Sequence, residues 1–326
     1  MSIRSRVGGL VEGAMLSLFL SLSNRRSIGR LATRLPLTRP MVARFVAGET
    51  LPAALPTIRR LHDTGFRTTL DILGESVTDA ETARVAADSY VNALSVLDEQ
   101  GLDLNVSVKL SQMGLGLAQP IARENLARVL VAAASLGAFV RIDMEDHTTT
   151  DATLDLWRSL RPVMAGSGDV GVVIQAALRR SEADVEALIA EQARIRLCKG
   201  AYKEPPSVAY TDRADVDAAY LRLTERLVDA AVLPAIATHD DRMVDHAIAY
   251  ARDHEIPADR FEFQMLFGVR RDLQERLLRD GWAVRIYVPL GERWYPYFMR
   301  RLAERPANVS FLLRSLLREG RGHPQP

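Results

Sequence analysis

Two arginines stand side by side at Arg300 and Arg301, inside the segment RIYVPLGERWYPYFMRRLAERPAN that runs from 285 to 308. Adjacent residues on a helix project about 100° apart, so these two guanidinium groups can flank one small anion from two sides. Planar arginine forks match two oxygens at once and therefore suit a carboxylate or a phosphate. Glu304 follows Arg300 by four residues, where it can pair with it and hold it still. An isolated Arg-Arg doublet is most simply a solvated helix face. Here a strand-like run, a turn at Pro289–Gly291 and an aromatic cluster lead into it, which argues for a built site.

Other residues of the same kind close short apolar runs. Lys109 ends VSVKLS and Asp143 lies in VRIDMED. An unpaired charge emerging from such a run is costly, so the two are expected to meet one another or a ligand. Arg196 and Lys199 sit in RIRLCKGAY, followed by Gly200, which lets the backbone come close to a ligand. The plainer reading is a strand-to-helix turn carrying a salt bridge. With Gln175 on the preceding run and Thr238-His239 on the next, the set suits a large polar cofactor. Cys198 has no base beside it in sequence and reads as an apolar filler.

The elements that must position these groups are legible from Phe66 onward. Short β-rich runs (66–73, 104–110, 138–144, 170–176, 193–198, 234–238, 261–266 and 282–288) alternate with long amphipathic helical patterns. Such alternation implies parallel pairing through right-handed crossovers. Eight units over roughly 230 residues is the size of a (β/α)8 TIM-type barrel. An open doubly wound sheet is disfavoured because no glycine-rich fingerprint follows the first run. In a barrel the chemistry lies at the strands' C-terminal ends. Those ends are read as Asp71, Lys109, Asp143 with Glu145, Gln175, Arg196 with Lys199, Thr238 with His239, Glu262 with Gln264, and Tyr287. The expected organisation is extra N-terminal helices over 1–60, the barrel over 61–314 and a tail over 315–326.

Composition excludes several classes. A chain of 326 residues with 48% hydrophobic and 25% charged residues can bury a substantial core. A net charge of +1 gives no sign of nucleic-acid binding. One cysteine rules out an internal disulfide framework and fits a reducing cytoplasm, and the six histidines show no zinc-site spacing. The apolar stretch Ala14–Leu22 is too short to span a bilayer, and its flanks favour a packing or interfacial helix over a signal peptide.

DILGESV (71–77), VSVKLS, RIDMED, RIRLCKGAY, ATHD, FEFQMLFG and the closing segment resemble, in the same order, the motifs of the proline dehydrogenase family, from about Arg44 to Arg314. The resemblance implies oxidation of L-proline to 1-pyrroline-5-carboxylate, hydride transfer to FAD and reoxidation by a membrane quinone, with the protein cytoplasmic or peripheral on the membrane's inner face. It implies Lys109, Arg300 and Arg301 on the substrate carboxylate, Tyr287 and Leu266 as walls of the ring, Asp143 as an active-site carboxylate and Arg196 near the reactive flavin nitrogen. Met144, Gln175, Lys199, Gly200, Ala201, Thr238 and His239 would line the FAD, with Glu304 bracing the arginines. One departure is Ala177 in QAALRRS, where the family usually has tyrosine, which keeps hydroxyproline or an N-substituted proline open as substrate. A non-catalytic anion-binding barrel and a phosphate-handling barrel are the rivals from other classes, the second lacking a glycine-rich loop near Gly268 or Gly291. Homo-oligomerisation is left open.

Overall fold

A computed structural model describes residues 39–164 and 166–303. Among them, eight strands pair in parallel and close on themselves in chain order: β1 Arg67–Ile72, β2 Asn105–Lys109, β3 Phe139–Asp143, β4 Asp169–Gln175, β5 Ile195–Cys198, β6 Ala235–Ala237, β7 Glu262–Leu266 and β8 Val284–Leu290. The predicted (β/α)8 barrel is the observed fold, and each β-rich run of the sequence overlaps its strand. Closure is made by β8 on β1, in register from Arg67 opposite Arg285 to Ile72 opposite Leu290. That pairing corrects one expectation. The turn placed at Pro289–Gly291 begins later, because Asp71 and Ile72 pair with Pro289 and Leu290 and so extend β8 past Val288.

Several helices enter with a side-chain cap and bury one stripe. Asp79 accepts the Thr82 amide at the start of Ala80–Glu99, and Asp212 and Asp240 do the same for Arg213–Ala230 and Asp241–Asp253. On Ala80–Glu99 the buried residues Ala83, Ala87, Tyr90, Ala93, Leu94 and Leu97 recur at helical spacing. Of the expected N-terminal segment, helices Arg39–Phe45 and Leu51–Asp63 are described, and Ile58 and Leu61 of the second join the core around Phe66. Burying a side chain of that size contributes about 1.5–3 kcal/mol. The Ala14–Leu22 stretch and the expected tail over 315–326 lie outside the described residues. No helix among the described residues is long and apolar enough to cross a membrane.

The apolar core lies between barrel and helices, whereas the barrel's inside is polar. Thr69, Ser107, Arg141, Arg196, Gln264 and Arg285 are all buried. Gly171 makes room for one of them. A Cβ there would come within 2.6 Å of Arg141 Nη1 and 2.3 Å of the Arg194 carbonyl oxygen. Arg141 donates to the Val172 carbonyl at 2.9 Å and lies over the Phe139 ring, with Arg194 also over that ring. At the N-terminal end of the barrel Arg285 grips Glu262 with bonds of 2.8 and 3.2 Å. Burial opposes ionisation there, but Arg285 outweighs it and holds the Glu262 carboxyl at about 2. Glu262 is therefore not a C-terminal rim group as expected. Period-two alternation gives a residue's face correctly but not the end of the strand it occupies.

The last described helix, Trp294–Ala303, is seated on a separate apolar cluster of Phe45, Val46, Leu73, Trp294, Tyr297, Phe298 and Met299. Phe45 and Phe298 meet with ring centroids 6.2 Å apart. Trp294 anchors the helix start by donating to Glu49 at 2.9 Å.

Candidate active site

Five strands send charged or hydroxyl groups to one point at the C-terminal mouth. Asp143, ending β3, accepts Arg196 Nη1 of β5 at 2.6 Å on one oxygen. Its other oxygen accepts the Tyr287 hydroxyl of β8 at 2.8 Å and Lys109 Nζ of β2 at 3.4 Å. Lys109 also donates to Asp71 of β1 at 2.9 Å and to the Tyr287 oxygen at 3.1 Å. Arg196 continues the network inward, donating to Ser107 at 3.0 Å and to Gln264, whose amide reaches Glu262. An unbroken polar ladder thus runs from Arg285 at the floor to Asp71 at the rim.

Burial and neighbouring charges shift Asp143, Lys109, Asp71 and Tyr287 from their ordinary pKa values. Burial pushes Asp143 up, yet Lys109 and Arg196 outweigh it and its carboxyl stays below the usual range. Burial likewise works against the Lys109 ammonium, but Asp71, Tyr287 and Asp143 overcome it and raise its pKa well above normal. Asp71 is different: desolvation dominates, Lys109 counters it, and the nearby Asp143 charge adds to the rise. The Asp71–Lys109 contact therefore favours charge on the lysine more firmly than on this aspartate. Desolvation, then Asp143 and Asp71, keep the Tyr287 phenol protonated. The mouth holds two fixed cations, one fixed carboxylate and a hydroxyl donor.

The arginine doublet opens on the same mouth but is not closed around a single anion. Arg300 forms a two-point pair with Glu75, at 2.7 and 3.3 Å, in the loop after β1. Arg301 lies over the ring of Tyr297, 5.1 Å from its centroid. The expected brace Glu304 lies outside the described residues; the carboxylate described on Arg300 is Glu75. Tyr202 links the two parts. Although its ring is open to solvent, partial desolvation and the Glu145 and Glu75 carboxylates push its phenol up, and Lys109 and Arg300 pull it down, so all five groups share one electrostatic neighbourhood.

The described residues expected to line a cofactor occupy the ends of β3, β4, β5 and β6. Gln175 is buried and donates to the Glu145 carbonyl at 2.6 Å. Gly200 has φ +109, and a Cβ there would lie 3.0 Å from Gln175 Oε1 and 3.2 Å from the Ala177 methyl. Ala201 is exposed beside it, while Met144 packs its side chain into the core. Thr238 is buried, and its hydroxyl accepts the Asp240 amide at 3.1 Å. His239 accepts the Leu266 amide on Nε2 at 2.9 Å, which leaves Leu266 half-buried at the mouth. Lys199 donates to Asp217 at 2.5 Å and to Asp240 at 3.0 Å, so this cation is held by protein carboxylates. Burial pushes the Cys198 thiol up to about 11, against the pull of Arg196, which keeps it unreactive as expected.

Sequence reading missed Glu75 as the partner of Arg300, Ser107 as a support of Arg196, and Tyr202 beyond its place in a motif. Ser107 could have been found, because it lies two residues before Lys109 and so faces the same way. Glu75 could not, since only the fold brings it to a helix 225 residues later.

The family model for proline dehydrogenase matches residues 54–314. Proline dehydrogenase 2 of Bacillus subtilis is 36% identical over 301 residues, covering 92% of this chain and 98% of that protein. The proline dehydrogenase of Deinococcus radiodurans is 39% identical, covering 85% and 90%. Among solved structures, proline utilization A (PutA) from Bdellovibrio bacteriovorus, inactivated by N-propargylglycine, superposes with a TM-score of 0.77 at 27% identity. That match covers 84% of this chain but a third (33%) of the longer protein. A barrel whose mouth gathers Lys109, Asp143, Arg196 and Tyr287, and whose sequence aligns with these relatives almost end to end, belongs to the proline dehydrogenase family of enzymes.

Proposed function

We propose that the protein oxidises L-proline to 1-pyrroline-5-carboxylate, with FAD as its cofactor and a membrane quinone as terminal electron acceptor. The observation that carries this reading is the convergence of Lys109, Asp143, Arg196 and Tyr287 at one mouth, overlooked by the Arg300–Arg301 helix.

The donor set fits a flavin. Gly200 presents bare backbone where an added side chain would press on Gln175 and Ala177, and the Gln175 amide, Thr238 hydroxyl and Lys199 ammonium stand along the ends of β4, β5 and β6. Gln175, Lys199, Gly200, Ala201, Thr238 and His239 would hold FAD, and Arg196 would face its reactive edge. Bound there, FAD supplies a two-electron acceptor for the hydride that leaves the proline ring carbon next to nitrogen.

The chain's own residues do the rest. Lys109 stays an ammonium and presents a cation to the substrate carboxylate, and Arg300 and Arg301 approach from the covering helix. Cations on the carboxylate side make an ammonium costly and favour loss of the extra amine proton, which must leave before a hydride can. Asp143 holds Arg196 and Lys109 in place without being consumed, because its own charge is fixed. Tyr287 stacks near both cations, 5.3 Å from Arg196 and 5.8 Å from Lys109, and offers a flat wall to a five-membered ring. A quinone acceptor places the protein at a membrane surface during reoxidation.

The test is the visible spectrum of the purified protein titrated with L-proline. Flavin bands that bleach on addition are the expected result. Protein that is colourless and takes up no FAD would instead be an anion-binding barrel. Bleaching by 4-hydroxyproline or N-methylproline but not by L-proline would overturn the substrate and point to the opening at Ala177.

A further inference from the structure

After β5 the chain runs out to the mouth through Gly200, Ala201, Tyr202 and Lys203, all of them exposed. Among the described residues no hydrogen bond ties Ala201, Tyr202 or Lys203 to the body of the protein; the next tie is Glu204. The Glu204 side chain is only 6% exposed although its neighbours on both sides are open to solvent. One of its oxygens accepts the His147 backbone N–H at 2.9 Å, and the other accepts His147 Nδ1–H. The imidazole need not be charged for this, because the Nδ1–H tautomer donates while neutral.

His147 is a firm post. It begins the single turn His147–Thr149 in the loop after β3, where Asp146 accepts the Thr148 amide at 2.9 Å. Two residues earlier Glu145 accepts the Ser111 amide at 2.8 Å, and its carbonyl accepts Gln175 at 2.6 Å. Since β4 lies between β3 and β5, the His147–Glu204 contact spans the end of β4. It joins the loop that follows Asp143 to the loop that follows Arg196. An exposed ion pair of this kind would contribute little. A buried carboxylate taking both the side chain and the backbone of one residue is a two-point restraint that fixes direction as well as distance.

We propose that His147 and Glu204 form a clasp that positions the turn Gly200–Lys203 for the cofactor, so that both are positioning residues of the flavin site although neither lies among the residues expected to touch it. This rests on the flavin reading above. With the clasp closed, the turn is held at both ends, by β5 at Lys199 and by Glu204, and the backbone of Gly200 and Ala201 is ordered before ligand arrives. Opening the clasp transfers that ordering cost to the binding step.

The test measures FAD affinity of the full-length chain by quenching of flavin fluorescence. Wild type should bind, which checks the cofactor reading separately; a wild type that binds no FAD overturns that reading. Glu204→Ala and His147→Ala should raise the FAD Kd by about tenfold or more, the size expected when a charge-assisted bond is lost. Glu204→Gln, which keeps an acceptor for the His147 amide and the same volume, should fall between. A second readout needs no FAD: trypsin should cut after Lys203 faster in His147→Ala than in wild type, while the rest of the chain is cut at the same rate. Wild-type FAD affinity together with wild-type cleavage in the alanine variants would overturn the proposal. Should an alanine variant fail to fold, Glu204→Gln decides: an affinity equal to wild type overturns the clasp, and an intermediate one upholds it.

Discussion

Asp143 and Arg196 join β3 to β5 across the inside of the barrel, carboxylate oxygen to guanidinium nitrogen at 2.6 Å, with β4 between their strands. Both are buried, so each supplies the other's counter-charge where water cannot. Replacing Asp143 by Asn keeps the shape and removes the charge from a point where Arg196 and Lys109 both need it. Asp143→Asn should cost about 3–5 kcal/mol of stability, the usual result of stranding one member of a buried pair. Thermal melting checks the cost, and kcat on L-proline should fall in parallel. A variant as stable as wild type would show that the two cations find another partner.

Tyr287→Phe isolates the hydroxyl. The ring over Arg196 and Lys109 remains, while the bond to Asp143 and the acceptor for Lys109 disappear. A loss of about 1–3 kcal/mol is expected for buried partners left unsatisfied. kcat/KM measured beside the melting curve separates a loss of positioning from a loss of fold.

Arg301→Lys replaces a fork by a point charge on a flexible stem. KM for L-proline should rise by about tenfold while kcat changes little, the pattern of lost uniform binding. Steady-state kinetics decide it, and an unchanged KM would remove Arg301 from the carboxylate site.

Glu262 should make stability depend on acid. Its folded pKa is held down to about 2 from an ordinary 4.5, so its contribution is fully present above the ordinary value and is lost as pH falls toward 2. A drop of that size corresponds to about 3 kcal/mol. Glu262→Gln should therefore be less stable than wild type near pH 7, and the gap should narrow as pH falls below about 4. Denaturant midpoints across that range provide the check; a constant gap would mean that Arg285 is not what holds the charge.

The barrel was legible in the sequence because strand and helix periods alternate cleanly, and a charge that ends an apolar run, such as Lys109 or Asp143, declares itself as a rim group. The limits are also physical. Alternation assigned Glu262 to the correct face and the wrong end. The helical spacing rule offers Glu304 to Arg300 but is silent on Glu75, which the fold delivers to it across the barrel seam. Lys199 reads as a ligand cation, yet Asp217 and Asp240 come from two other elements that only tertiary structure brings beside it. Local rules name the groups and their faces; partners that come from other elements are chosen by topology.

The seat of the Trp294–Ala303 helix has a consequence for how the arginines could drift in evolution or by design. Because Phe298 rests on Phe45 from the opposite end of the polypeptide, the reach of Arg300 and Arg301 is calibrated by a greasy hinge-pin that never meets a reactant. Trimming or enlarging that aromatic shim would retune how snugly a small amino acid is gripped while leaving every reacting group untouched.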